Sequence, residues 1–263
     1  PAPAATPSPQ RLLGLIRAKF RSHRPPPLYE TYTLVRKQNA SNGYPDPVGS
    51  YTQPIWVRNT DRAALTRQVF RDEYEGPMSF DRPAFNEDRD PGPPTADVFE
   101  PAPVHPHPID FVPTPEPSYT QPPVIGGIQV FVESDYTVTS VDVQGDLLHL
   151  VVEPKRDPDR NRIREIWADK NTYELRKLLA TDKLFIEGGG RKADVYPVVF
   201  TITMGTVDGQ IVVTDLHGVV GGGYHDDGQT VDFQFRNITF PKSLPDWYFN
   251  ARTYAQHQGD APT

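Results

Sequence analysis

Over the second half of the chain, apolar and polar residues trade places with a period of two. Ile163, Glu165 and Trp167 fall on one side of an extended segment, and a polar link follows at Asp169, Lys170 and Asn171. Tyr173, Leu175, Lys177 and Leu179 then resume the alternation. Such a pattern across a polar turn predicts a half-buried β-hairpin. Segments 129–143 and 147–152 meet around Gly145 and Asp146, a second hairpin turn. In 197–204, Val198, Phe200, Ile202 and Met204 alternate with Val199, Thr201 and Thr203, and Asp208-Gly209 turns the chain into 210–216. Val231, Phe233 and Phe235 alternate with Asp232, Gln234 and Arg236. About seven consecutive strands make an antiparallel meander, which must close on itself or cover its edges.

The first half begins differently. Ser8 is placed to cap a helix with Pro9 at its first position, where a missing N–H costs nothing. Leu12, Leu13, Leu15, Ile16 and Phe20 form an apolar stripe, while Arg11, Arg17, Lys19, Arg21 and Arg24 are basic. One reading packs that stripe on the sheet with the charges in water. The other sets it on an anionic membrane surface. The apolar reading of 28–37, 54–59 and 64–74 predicts strands, with 39–50 a turn-rich loop between the first two. Segment 76–85 suits an edge strand, because Pro83 cannot donate to a ladder.

Between 90 and 123 proline is dense and periodicity vanishes. The strands before it are too few for a core of their own, so it reads as an excursion inside one domain rather than a linker. The expected organisation is a flexible tether over 1–8, a single β domain over 9–250 interrupted by 90–123, and a flexible tail over 251–263.

Composition narrows the partners. The 263 residues carry a net charge of −7 and a pI near 5.5, against the basic face that nucleic acid requires. There are no cysteines, which excludes disulfides and thiolate chemistry. No apolar run is long enough for a membrane-spanning helix. The small, proline-rich start has no signal-peptide core and reads as the tether after a cleavage site, hence an exported, periplasmic protein, with lipid anchoring left open.

Candidate chemistry is sparse. His105 and His107 sit among prolines with no third ligand in view. Residues 157–161 place oxygens like a calcium loop, but Arg162 stands at the sixth position and Ala168 at the twelfth, so they read as an Asp/Pro turn. The glycine runs at 188–190 and 221–223 open onto no helix and make poor phosphate cradles. His225, Asp226 and Asp227, with His217 nearby, leave a small opening for a hydrolase site. No catalytic residue, cofactor or metal site is assigned. The large apolar residues are more informative. Trp56, Leu148, Leu150, Trp167, Phe200, Ile202, Phe233 and Phe235 form a core in one reading and line a ligand cavity in the other.

A strand bearing YTV, a Gly-Asp turn, a strand ending at Pro154, a polar loop over 157–162, Trp167, Asp169 and Tyr173 to Lys177 resembles the outer-membrane lipoprotein-sorting (LolA/LolB-like) superfamily, mainly over residues 128–250. The resemblance implies an open, strongly curved antiparallel β barrel plugged by helix, with a hydrophobic cavity for a lipid or lipoprotein acyl chain and no enzyme chemistry. It carries no individual functional residue across. The rival expectation is an interaction module with a filled barrel, its proline-rich segment a partner-binding arm in polyproline II form.

Overall fold

The computed structural model describes residues 7–23, 26–39, 45–60, 63–68, 78–83, 92–101, 135–186, 194–221 and 229–249. Among these residues one α-helix, α1 (Pro9–Arg21), precedes eleven strands. These are β1 (Tyr29–Asn39), β2 (Pro45–Arg58), β3 (Ala63–Gln68), β4 (Met78–Pro83), β5 (Tyr136–Gln144), β6 (Leu147–Pro154), β7 (Ile163–Asp169), β8 (Leu175–Ile186), β9 (Asp194–Val207), β10 (Gln210–Val220) and β11 (Thr230–Thr239). All pair antiparallel in one open sheet ordered β4-β3-β2-β1-β11-β10-β9-β8-β7-β6-β5. The antiparallel meander expected from the alternation is observed, and the sheet is open, as the family resemblance implied. β4 lies at one edge, where Pro83 was expected to put it, and β5 at the other.

The turns follow local chemistry. Asp208 and Gly209 adopt φ of 47° and 78°, the double left-handed conformation of a tight hairpin, and Gly145 does so at 64°. The β7–β8 link is held by the Asp169 carboxylate, which accepts from the backbone N–H groups of Asn171 (2.9 Å) and Thr172 (2.8 Å). These two bonds hold its pKa below the ordinary carboxylate value. Residues 157–161 are a turn as expected, closed by the N–H groups of Arg160 and Asn161 on the Asp157 carbonyl.

One expectation is corrected here. Segment 39–50 is not all loop, because β2 begins at Pro45, pairing with Asn39, and Asp46 pairs with Gln38. Over this stretch β3 provides no partner, since it meets β2 only from Ile55 to Arg58. Among the described residues no strand pairs with that edge of β2, so prolines are tolerated there.

The helix forms as its sequence dictates. The Ser8 hydroxyl accepts from Arg11 N–H at 3.4 Å with Pro9 in the first turn. Leu12, Leu13, Ile16 and Phe20 are buried on the core-bearing, concave face of the sheet. That apolar stripe is thus occupied by protein, and the membrane-surface alternative for α1 loses its contact face. Gln10 ties the helix start to β5, donating to the Tyr136 carbonyl (3.0 Å). At the other end His23 Nδ1 meets the Gly209 carbonyl at 2.8 Å. The helix therefore crosses from the β5 edge to the β9–β10 turn.

Residues 92–101 form a strap from the proline-rich segment. Phe99 is buried edge-on against Phe20, with ring centroids 5.5 Å apart, and Asp97 pairs with Arg21 at 3.0 Å. Arg17 lies over the Phe99 ring at 5.6 Å. Burial is the first cause lowering its pKa, with Arg21 acting in the same direction.

Candidate functional site

On the concave face, Phe200 and Ile202 of β9, Phe233 and Phe235 of β11 and Tyr32 of β1 form a row across the middle of the sheet. Phe200 and Phe233 have ring centroids 6.3 Å apart, and Tyr32 and Phe235 are 5.4 Å apart. The strand between, β10, contributes Gly218, the cross-strand partner of both Phe200 and Val231. A Cβ at this position would lie 2.6 Å from Phe200 Cε1 and 2.9 Å from Val231 Cγ1. The glycine is what allows the Phe200 ring to lie across its neighbour strand. Side-chain alternation alone brings these residues to one face.

The two halves of the concave face differ. Leu148 and Leu150 belong to the half nearer β5, which α1 crosses with its packing on β5 and β8. Leu13, Ile16, Leu150 and Leu178 have essentially no exposed surface. Over β9 to β11 the partly exposed apolar residues Ile202, Leu216 and Ile238 pack on the same core.

Here the sheet also parts. β10 pairs with β11 only from Asp215 to Val219, whereas residues 235–239 of β11 run with β1 and residues 210–213 of β10 run with β9. A β-bulge opens on each side, between Val213 and Asp215 in β10, and in the β1–β11 pairing between Thr31 and Thr33. Asn237 adopts φ 54° in the same region. Val213 N–H, facing the seam, donates to the Pro94 carbonyl at 2.8 Å. The strap is thus hydrogen-bonded at a place where two strands have separated.

Two of the expected cavity residues lie elsewhere. Trp167 is on the convex face, its indole stacked on His149 (centroids 4.5 Å, 11° between planes) and covered by Lys177 Nζ at 3.7 Å. Its Nε1–H donates to Gln144 Oε1 at 3.1 Å. The cause is a register shift between Ile163 and Glu165, which leaves Ile163 with Ile166 and Ala168 on the core side and turns Trp167 outward. Trp56 also faces outward, edge-on to Tyr248 at 5.8 Å. Tyr248 belongs to a 3₁₀ turn, Asp246–Phe249, that packs over the convex face with Leu244 and Trp247.

A polar set on the concave side was not anticipated. Along β1, Glu30, Tyr32, Leu34, Arg36 and Gln38 share one face, with Gln53 of β2 opposite Leu34. Glu30 and Gln53 are 0% and 1% exposed and Gln38 is 7% exposed. Arg36 is half-buried, its Cζ 5.7 Å from the Phe233 ring centroid, and its Nη2 donates to Gln38 Oε1 at 2.8 Å. Gln38 N–H in turn donates to the Ser50 hydroxyl at 3.1 Å. The same two-residue period that marks the core would have found this stripe.

Among the described residues no catalytic constellation emerges on this face. His217 Nδ1 lies 2.6 Å from Asp232 Oδ1, but both belong to the convex side and His217 is exposed. His149 bridges Asp142 (2.8 Å) and Glu165 (2.7 Å), also on the convex side. Among the described residues no three His, Asp or Glu side chains are grouped to hold a metal. His105, His107, the glycine run 188–190, His225, Asp226 and Asp227 lie outside the described residues.

No protein-family model matches the chain, and no curated protein matches it in sequence. Among solved structures it is similar to a LolA superfamily protein from Nitrosomonas europaea, at 10% identity and TM-score 0.44, covering 90% of this chain and 97% of that one. A DUF1329 family protein from Desulfovibrio piger is similar at 10% identity and TM-score 0.41, over 94% and 99% of the two chains. A domain from Vibrio parahaemolyticus described as outer membrane lipoprotein-sorting gives 10% identity and TM-score 0.38, again over 94% and 99%. The fold stands on this chain's own strand order and helix, and an open sheet under an N-terminal helix is the arrangement that the residue resemblance implied.

Proposed function

We propose that this protein is a non-enzymatic, extracytoplasmic binding protein that holds an acyl chain or similar apolar ligand along the aromatic row of its concave face. The observation that carries the reading is the set Phe200, Phe233, Phe235, Ile202, Leu216 and Ile238. These apolar groups share one face, and Ile202, Leu216 and Ile238 keep part of their surface exposed beside a seam in the sheet. Each methylene buried there contributes about 0.8 kcal/mol. The strap at Pro94 and Phe99 is then a cover and not a linker, and residues 9–250 act as one unit. Handling of lipid or lipoprotein at the cell envelope is the role this binding would serve.

A filled interaction module is the second reading, favoured by the fully buried α1 face against Leu150 and Leu178. Native mass spectrometry and solvent extraction of the purified protein separate the two. A bound amphiphile, or uptake of one added acyl chain per protein after delipidation, supports the carrier. A protein that neither retains nor takes up any acyl chain is the filled module.

A further inference from the structure

We propose that Arg17 and Arg21 of α1 form a binding site for a phosphate or carboxylate group beside the Phe99 ring of the strap. The site lies on the flank of the helix and not on the aromatic row, so it stands independently of the acyl-binding reading.

Arg17 is half-buried, its Cζ 5.6 Å from the Phe99 ring centroid. Among the described residues its guanidinium makes no hydrogen bond and no ion pair. Two carboxylates stand in the neighbourhood, and both are engaged by other groups. Asp97 Oδ2 accepts from Arg21 Nε at 3.0 Å, and its Oδ1 accepts from the Phe99 N–H at 3.0 Å. Asp135 Oδ1 accepts from Arg156 Nε at 3.1 Å and Nη2 at 2.9 Å. Burial and the like charge of Arg21 therefore outweigh both carboxylates at Arg17, whose pKa is lowered.

Arg17 and Arg21 are one turn apart on the same face, a like-charge pair that destabilises a helix. The helix dipole accounts for Lys19 and Arg21 in the last turn, but not for Arg17 before it. An anion held between the two guanidinium groups relieves their repulsion and compensates the burial of Arg17. The donors for it are in place. Arg17 offers five N–H groups in a planar fork, and Arg21 offers its Nη groups, since Asp97 engages only Nε. Such forks match the paired oxygens of a carboxylate or phosphate.

Approach to the site is open. The Arg17 nitrogens are not among the atoms closed to solvent. Gly14, one turn earlier on the same face, has nothing within 4 Å of where a Cβ would stand. The bond from Phe99 N–H to Asp97 fixes the strap residue that forms the apolar wall.

The test is calorimetric titration of the full-length chain at low ionic strength. The probes are inorganic phosphate and dihexanoylphosphatidic acid, with dihexanoylphosphatidylcholine as the control for binding through the chains, all below micelle concentrations. Saturable binding of both phosphate probes is expected, with phosphatidylcholine about tenfold or more weaker than phosphatidic acid. Arg17→Gln should weaken both phosphate probes about tenfold or more, and Arg21→Gln should weaken them as well. Lys19→Gln makes the same charge change on the opposite flank of the helix and should leave both unchanged. Arg17→Lys should keep part of the affinity. Circular dichroism checks folding, and if Arg17→Gln does not fold, the comparison of Arg21→Gln with Lys19→Gln decides.

A preference for phosphatidic acid that Arg17→Gln removes supports the site with a lipid headgroup as its source. Equal binding of phosphatidic acid and inorganic phosphate supports it with a free anion as its source. No saturable binding of either phosphate probe by the wild type, or the same loss in Lys19→Gln as in the arginine variants, overturns the site. The acyl-binding reading is unaffected by that failure, because it is tested by uptake of an acyl chain.

Discussion

Replacing Gly218 by alanine is the sharpest perturbation of the aromatic row. The added Cβ would stand 2.6 Å from Phe200 Cε1 and 2.9 Å from Val231 Cγ1, where ordinary contact begins at 3.4 Å. Gly218 cannot retreat, because β10 is paired to β9 on one side and to β11 on the other. The ring of Phe200 must move by the better part of an ångström, and it is already packed against Phe233. Overpacking of this kind costs about 1–3 kcal/mol. For a chain of this size that lowers Tm by roughly 2–4 °C per kcal/mol. Chemical denaturation should show a lower midpoint with an unchanged slope. The cause is checked by a double-mutant cycle with Phe200→Leu, whose shorter side chain leaves room for the Cβ. Alanine should then cost less in that background, a coupling of about 0.5 kcal/mol or more. A Gly218→Ala variant as stable as wild type, or a cost undiminished by Phe200→Leu, would refute the packing argument.

Three further outcomes follow. Phe99→Ala removes a buried ring from between α1 and the strap and should cost about 3 kcal/mol in denaturant unfolding, whereas Arg21→Ala, which breaks an exposed ion pair with Asp97, should cost under about 1 kcal/mol. The reverse order would mean that the strap is held by charge. Burial raises the Tyr136 phenol above its ordinary 10.0, so the folded state holds this proton more tightly than the unfolded one. Its contribution is complete below about pH 10 and is lost as pH climbs through the raised value, so Tyr136→Phe should flatten part of the alkaline decline in unfolding free energy above about pH 10. His149→Ala uncovers the Trp167 indole, so its fluorescence should shift to the red at a stability cost of about 0.5–1.5 kcal/mol; an unshifted spectrum would deny the stack.

Period-two alternation made the β5–β11 meander legible, as did the Asp208-Gly209 and Gly145 turns. The same rule placed Phe200, Ile202, Phe233 and Phe235 together, because no bulge intervenes within their runs. It misplaced Trp167, since a single register shift after Ile163 reverses every side chain beyond it and nothing in RIREIW announces the shift. Trp56 failed for another reason. β2 reads Pro-Ile-Trp-Val with apolar residues in succession, so alternation could not say which face is the core when the 3₁₀ turn covers the outer one. The strap was missed because its contacts are Pro94 carbonyl, Phe99 and Asp97 reaching elements far away in sequence, which no local period records. The stripe from Glu30 to Gln38 was legible in principle. Its polar members obey the same period as Tyr32 and Leu34, but a buried polar residue looks like an exposed one until the opposite face is known.

The central claim is that the concave face takes an acyl chain along Phe200, Phe233 and Phe235. Native mass spectrometry of the delipidated protein mixed with laurate tests it most directly. The account predicts a one-to-one adduct that is lost in Phe233→Asp while the variant keeps its β-sheet circular dichroism. A wild type that shows no adduct, or a Phe233→Asp variant that binds laurate as well as wild type does, would contradict it.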